Sequence, residues 1–373
     1  MIKLSQNQLR RYILGKQGLL ERQSLEAMDT FGPLHATDHT TPYLSLLARV
    51  DPFVWENLAD KRYDEHAFIK LRCMRGTLHL LPESLANTVQ CVYQLTEKET
   101  FHEFAEYDIP EKAAMAARFA ILETLEKEGP QSTASIKKYL SANLQKKYKN
   151  KYGSETTIIG PVMRWLWSLG LIESGVGVTD WRQKEAAFRI VVSAVEPCDR
   201  SEADKALAQT YFELYAPATY EDWAWWCGLN AERCKTAFNS LKLMEASVSG
   251  LPPMWVLETQ AEVLSQTPDT PPDMVRLLPY EDALIKAYKP TRSRFYDDAD
   301  IAEDSAFNKF GEAVPTIWID GQIMGVWTWI QKPNEPMTVE PFFQMTKALR
   351  KRLNPEIERV QHFIQASHVI WSS

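Results

Sequence analysis

Imidazole, hydroxyl and carboxylate side chains meet within four residues at His35-Ala36-Thr37-Asp38, just ahead of the apolar stretch from Tyr43 to Arg49. These are the groups that position water and move protons. The same pattern also suits a helix start, because Asp38 or Thr40 can serve as N-cap for the helix through Tyr43 to Arg49. Histidines are otherwise scarce. Of the seven, four stand alone, His39 shares the stretch with His35, and His79 sits in Met-Arg-Gly-Thr-Leu-His.

The second chemical feature is electrostatic. Lys137, Lys138, Lys146, Lys147, Lys149 and Lys151 fall in one stretch with no acidic residue, and Tyr139 and Tyr148 lie among them. Such a segment suits neutralisation of backbone phosphates, with the tyrosines stacking or packing; a solvated lysine-rich loop is the alternative. The acidic run 297–304 reads as a solubilising loop. The chain contains no GxSxG, no Walker P-loop, no HExxH and no GxGxxG, which argues against triad hydrolases and nucleotide-dependent enzymes.

The elements that must carry these groups repeat. Around Gly129 and again around Ala216, a helix-period apolar run stops at a Gly-Pro or Ala-Pro pair, followed by a capping Ser132 or Thr219. Downstream, residues 164–174 and 235–247 each read as an amphipathic helix running into a short strand, with another candidate strand beyond. The order helix, turn, helix, helix, hairpin is that of a winged helix. The first copy is longer by 15 residues around Gln145–Ile158, which places an insertion on the surface as a loop. A third unit is expected at the N-terminus, with a helix over 5–28, one or two more over 42–62, and a hairpin over 68–82 around Arg75-Gly76. Residues 316–330 alternate around Asp320-Gly321, a hairpin signal, and a helix is expected after Phe342. The expected fold is therefore α+β: tandem winged-helix domains with a C-terminal β-rich domain. The boundaries expected are 1–112, 113–200 (with the lysine insertion), 201–266 and 274–373, with 267–273 as linker.

Composition is that of a globular chain, 45% hydrophobic and 24% charged. The net charge of −7 means that nucleic acid would be met by one basic face rather than the whole surface. Five widely spaced cysteines form neither a disulfide framework nor a CxxC metal pair, and Cys227 and Cys234 read as buried apolar residues. With no secretory signal and no run of about 18 apolar residues, a cytoplasmic protein is expected.

Four stretches then resemble the AlkZ-like winged-helix DNA glycosylases, in family order: residues 33–50, 71–84, 214–238, and Arg276–Tyr288 followed by Val314–Trp327. The resemblance implies a concave DNA-binding channel and monofunctional hydrolysis of the N-glycosidic bond of bulky N7-alkylated or crosslinked purines, with no metal and no organic cofactor. An N7-alkylated purine carries a positive charge and leaves readily, so such an enzyme need only place a water and stabilise an oxocarbenium-like sugar. Where the family reads Gln-x-Gln or Gln-x-Asp for that water, this chain has His35-Ala36-Thr37; Asp38 is kept. A neutral imidazole can accept a proton from water and a threonine hydroxyl can donate or accept, although threonine reaches less far than glutamine.

The resemblance makes His35, Thr37 and Asp38 the catalytic candidates. Arg75 and His79 are candidates for the channel wall, with Thr77 a strand residue. Asp282 in the Leu-Leu-Pro-x-x-Asp pattern is second to the site or structural, and Trp225 and Trp226 read as core. The six lysines named above are the DNA-binding candidates, double-stranded DNA the partner, and a monomer without membrane association the expected state. Two other classes fit the sequence: a DNA-binding protein that has lost the chemistry, and a protein–protein scaffold suited to the acidic total charge.

Overall fold

The computed structural model describes residues 1–150, 152–175, 178–184, 187–191, 198–296 and 305–372. Lys151 and the acidic run 297–304 lie outside the described residues. Helices and small sheets are mixed throughout, so the α+β class holds. The chain forms two compact units: one from 1–58, 74–80 and 204–373, the other from 59–73 and 81–203. Among the described residues no helix is long and apolar enough to cross a membrane.

In the first unit, Ser5 caps the helix Gln6–Lys16 in a reciprocal capping box with Gln8. The helix ends well short of residue 28, because Leu19 N turns back to Leu14 O and closes the last turn; a short 3-10 helix follows at Leu25–Phe31. Two helices occupy the expected region, Thr41–Arg49 and Trp55–Tyr63, the second crossing into the other unit.

The helices Tyr220–Cys227 and Ala231–Asn239 precede the paired strands Leu243–Val248 and Met254–Leu257, and Ile2–Leu4 adds to that pair in parallel. Thr219 caps the first of these helices as expected, its side chain accepting from Asp222 N while Asp222 returns to the Thr219 N–H. Asp222 is fully buried and is held further by Thr291 Oγ1 at 2.6 Å and Arg294 at 3.5 Å. Around it Tyr211, Tyr215, Trp223, Trp226 and Tyr288 make an aromatic core.

A five-stranded sheet completes the unit, in chain order: Val275–Leu278, Thr316–Ile319, Gln322–Trp329, Met337–Pro341 and Val369–Trp371. The first four are antiparallel and the last joins in parallel. Asp320 and Gly321, both at positive φ, make the expected tight turn. The helix Lys347–Ile364 lies against the first strand.

The second unit is built on the helices Glu111–Glu128 and Ile159–Ser168, whose Ile121, Leu125, Val162 and Leu166 share a core with Phe104 and Trp165. Ser132 caps Thr133–Tyr139 by accepting from Ser135 N, as read from the sequence. The lysine insertion forms a short hairpin rather than a plain loop, Lys147–Lys149 against Glu155–Thr157. One expectation fails in this unit. Cys91 and Cys198 are joined in a disulfide across 107 residues, a pairing that their spacing could not reveal. Cys73, Cys227 and Cys234 are free and buried.

Candidate active site

His35 is placed by a two-residue strand. Leu34 pairs with Leu80 and His35 with His79 in antiparallel register, and Ala36 N donates to Leu78 O at 2.8 Å. Cross-strand partners share a face, and the two imidazoles meet edge to face with ring centroids 5.5 Å apart. Tyr280 adds a third ring at 6.2 Å from His35. Both histidines are buried, at 3% and 2% exposure.

Burial strips an imidazolium of water, so both are held neutral. His35 is lowered to about 2, by burial first and then by Lys286, His79 and Arg75. His79 is lowered to about 3, again by burial and then Lys286. The Nδ1 of His35 is buried and finds no hydrogen-bond partner among the described residues. A buried acceptor in that position costs about 1–3 kcal/mol. A neutral imidazole offers one ring nitrogen as donor and the other as acceptor.

Thr37 and Asp38 emerge from the strand toward solvent. Thr37 is exposed, and its Oγ1 accepts from Leu78 N at 3.2 Å, leaving its own proton available. Asp38 does not cap the helix Thr41–Arg49; the N-cap position is Thr40, with no side-chain cap bond, and Asp38 makes the turn ahead of it. Its Oδ1 accepts from Thr40 N at 2.8 Å and Thr40 Oγ1 at 2.7 Å, a turn that leads into the helix Thr41–Arg49. Its Oδ2 accepts from Gln331 Nε2 at 2.8 Å. The carboxylate lines a cleft of about 230 Å³ with Tyr280, Thr328, Trp329 and Gln331.

The loop opposite the motif carries most of the remaining charge. Glu281 is buried at a φ of 51°, an uncommon conformation for a side chain of this size. Its Oε1 accepts from Ala313 N at 2.8 Å and its Oε2 pairs with Lys286, itself buried. Burial, and then a hydrogen bond shared with Glu312, raises the pKa of Tyr280. Glu312 is in turn held low, chiefly by Asn308 and then Tyr280.

Arg75 belongs to the same surroundings. Burial draws its pKa down while Glu281 and Glu312 support its charge. It sits at positive φ, with its guanidinium 3.9 Å from the ring centre of Trp225. Gly228 makes this stacking possible: it adopts φ +65°, and a Cβ there would stand 3.1 Å from the Arg75 backbone. The core assignment of the two tryptophans therefore holds only for Trp226; Trp225 is half-buried and supports Arg75.

Asp282 stands apart from the imidazoles as an anchor. Arg49 donates to both its oxygens, at 2.9 and 2.7 Å, with both side chains fully buried. Ser45 Oγ donates at 2.7 Å and Leu284 N at 3.0 Å. Thr41 Oγ1 also donates to Tyr280 O at 2.9 Å. The helix that follows the motif is thereby clamped to the loop that carries Tyr280, Glu281 and Lys286.

Sequence reasoning missed Tyr280, Glu281, Lys286, Glu312, Gln331 and Arg49. Tyr280 and Glu281 adjoin Asp282 in a stretch already singled out, and that adjacency was the available signal. The lysines belong to the second unit, where Lys137, Lys138, Lys146, Lys147 and Lys149 are exposed. Lys147 and Lys149 each reach Glu155 at 3.0 Å, so the basic hairpin is partly neutralised by its own second strand. Among the described residues no three His, Cys, Asp or Glu side chains converge as metal ligands.

The site thus gathers a buried neutral imidazole pair, a carboxylate in a cleft and a stacked arginine. The family model for AlkZ-like DNA glycosylases matches residues 28–363, and the chain belongs to that family. DNA repair, with DNA as the substrate class, follows from the membership. Among solved structures, the Streptomyces sahachiroi DNA glycosylase AlkZ has a similar fold, with a TM-score of 0.72 over 100% of both chains at 19% identity. No curated protein sequence matches the chain.

Proposed function

We propose that this protein is a monofunctional DNA glycosylase that hydrolyses the N-glycosidic bond of bulky N7-alkylated or crosslinked purines in double-stranded DNA. The observation that carries the reading is His35: a buried, neutral imidazole whose Nδ1 has no hydrogen-bond partner among the described residues, packed 6.2 Å from Tyr280, a residue that lines the Asp38 cleft. Such a nitrogen orients a water by accepting its proton in a hydrogen bond, without removing it. The Thr37 hydroxyl provides a second contact for the same water. As the charged purine departs, positive charge moves to the sugar, and the Asp38 carboxylate stabilises it. Once the water oxygen has bonded to the anomeric carbon its proton is strongly acidic and passes to the Asp38 carboxylate or to solvent water, so a strong base is not needed.

The helix–helix–helix–hairpin order of residues 200–257 and the capped helices after Ser132 and Thr219 support tandem winged-helix units over 1–112, 113–200 and 201–266, followed by the β-rich domain 274–373. In this reading Lys137, Lys138, Lys146, Lys147 and Lys149 meet the phosphate backbone, Arg75 and His79 flank the reacting sugar, and the protein acts as a monomer.

The test is base release from duplexes carrying a panel of N7-alkylguanine adducts and crosslinks. The wild type is expected to release the modified base and leave an abasic site. His35→Ala and Asp38→Asn are expected to slow release by about 100-fold or more while retaining DNA affinity. Absence of release across the panel, with intact DNA binding, would establish the alternative of a DNA-binding protein without the chemistry.

A further inference from the structure

Away from the histidines, four arginines converge on a cleft of about 360 Å³ beside the strand Val275–Leu278 and the helix Lys347–Ile364: Arg22, Arg276, Arg352 and Arg359. Among the described residues two carboxylates, Asp273 and Glu356, share the lining. Glu356 is occupied by Arg22 and, at 3.4 Å, by Leu277 N. Asp273 and Asp320 take Arg352, and Asp51 takes one edge of Arg359 at 2.6 Å.

Arg276 is left in an unusual position. It is 8% exposed, yet among the described residues its guanidinium donates to the carbonyls of Val275 at 2.7 Å and Leu20 at 3.0 Å and to no other group. No carboxylate oxygen bonds to it among the described residues. The Nε atoms of Arg22, Arg276 and Arg359 are all buried without a hydrogen-bond partner. Buried guanidinium donors ordinarily find acceptors, and a forked array of them matches a tetrahedral oxyanion.

We propose that this cleft binds a phosphate-class oxyanion, held by Arg22, Arg276, Arg352 and Arg359. An anion in the cleft would supply the negative charge that Arg276, bonded to two carbonyls, lacks among its hydrogen-bond partners. The electrostatics agree: burial first, and then Arg22 and Arg359, draw Arg276 down to about 10 against the support of Glu356. The ligand is either a free phosphate or diphosphate group, or a backbone phosphate of DNA.

Inorganic phosphate is the first probe. Calorimetric titration and thermal melts of the whole protein are run with phosphate replacing chloride at constant ionic strength. Saturable binding with a rise in Tm is expected, and a phosphate response no larger than chloride's overturns the proposal without any variant. Arg352→Gln is the first variant because that side chain is 39% exposed and peripheral to the fold; Arg276→Lys is the second. Each is expected to weaken phosphate binding by about tenfold or more, and wild-type affinity in both overturns the assignment. A duplex DNA arm identifies the source. If the phosphate belongs to DNA, Arg352→Gln weakens duplex binding, lowers its salt slope by about one, and free phosphate competes with the duplex. If the ligand is free, duplex affinity is unchanged while phosphate binding is lost.

Discussion

Acidification should destabilise this protein through the two facing imidazoles, and the size of the effect can be worked out. In the folded chain His35 and His79 sit at about 2 and about 3, against 6.5 for an ordinary histidine. Folded values below unfolded ones mean that the unfolded chain takes up protons first as pH falls. The stabilisation is therefore complete above pH 6.5 and drains away from there down toward pH 3. Between pH 7.5 and 5.0 each histidine accounts for a loss of about 2 kcal/mol, and the pair for about 4 kcal/mol, from a total that is typically about 5–15 kcal/mol. Because pH 5.0 lies well above both folded values, this loss is set by the unfolded chain and hardly depends on how far below 5 the folded values fall. The assay is urea unfolding followed by tryptophan fluorescence at several pH values, for the wild type, His35→Leu and His79→Leu. Each variant is expected to lose about 2 kcal/mol less than the wild type over this window. Carboxylates titrate lower and contribute equally to all three proteins. Identical pH dependence in wild type and variants would refute the claim that the imidazoles are buried neutral.

Base release should likewise show no inflection near pH 6.5, because a histidine that accepts a hydrogen bond while remaining unprotonated does not titrate there; a half-loss of kcat/KM at that pH would restore His35 as a proton carrier. Arg49→Met strands the buried Asp282 charge and should cost about 3–5 kcal/mol. The double variant Arg49→Met, Asp282→Leu is expected to recover much of that, measured as a double-mutant cycle of unfolding free energies. Glu155→Gln frees Lys147 and Lys149, so duplex affinity and its salt slope should both increase in fluorescence anisotropy titrations; unchanged binding would remove the hairpin from the DNA interface. Gly228→Ala forces a Cβ against Arg75 at positive φ and should cost about 1 kcal/mol or more in thermal stability, with a shift in Trp225 emission.

What the sequence made legible was local. Ser132 and Thr219 announce helix starts because a cap acts within three residues, and Asp320-Gly321 announces a turn because alternation reverses around it. His35 and Asp38 stood out for the same reason, being close together in the chain. What escaped notice is joined across long separations: Arg49 to Asp282 over 233 residues, Gln331 to Asp38 over 293, and Cys91 to Cys198 over 107. Periodicity carries no information about such pairs. It also cannot report that His35 is buried, and burial is what converts a candidate base into an acceptor. Trp225 was misjudged on the same ground, since only the approach of Arg75 at the Gly228 turn distinguishes it from its neighbour Trp226.

The clamp between Arg49 and Asp282 also sets a timetable for biosynthesis. At about 5–20 residues per second, the ribosome adds Asp282 roughly 10–50 seconds after Arg49. During that interval the arginine of the helix behind the motif lacks its Asp282 counter-charge, and the strand bearing His35 has its partner at Leu78–Leu80 but not the Tyr280 ring. The segment 34–49 is thus translated early and finished late. Nascent chains stalled before residue 282 should be cut by protease within 34–49, and chains carrying the five-stranded sheet should resist.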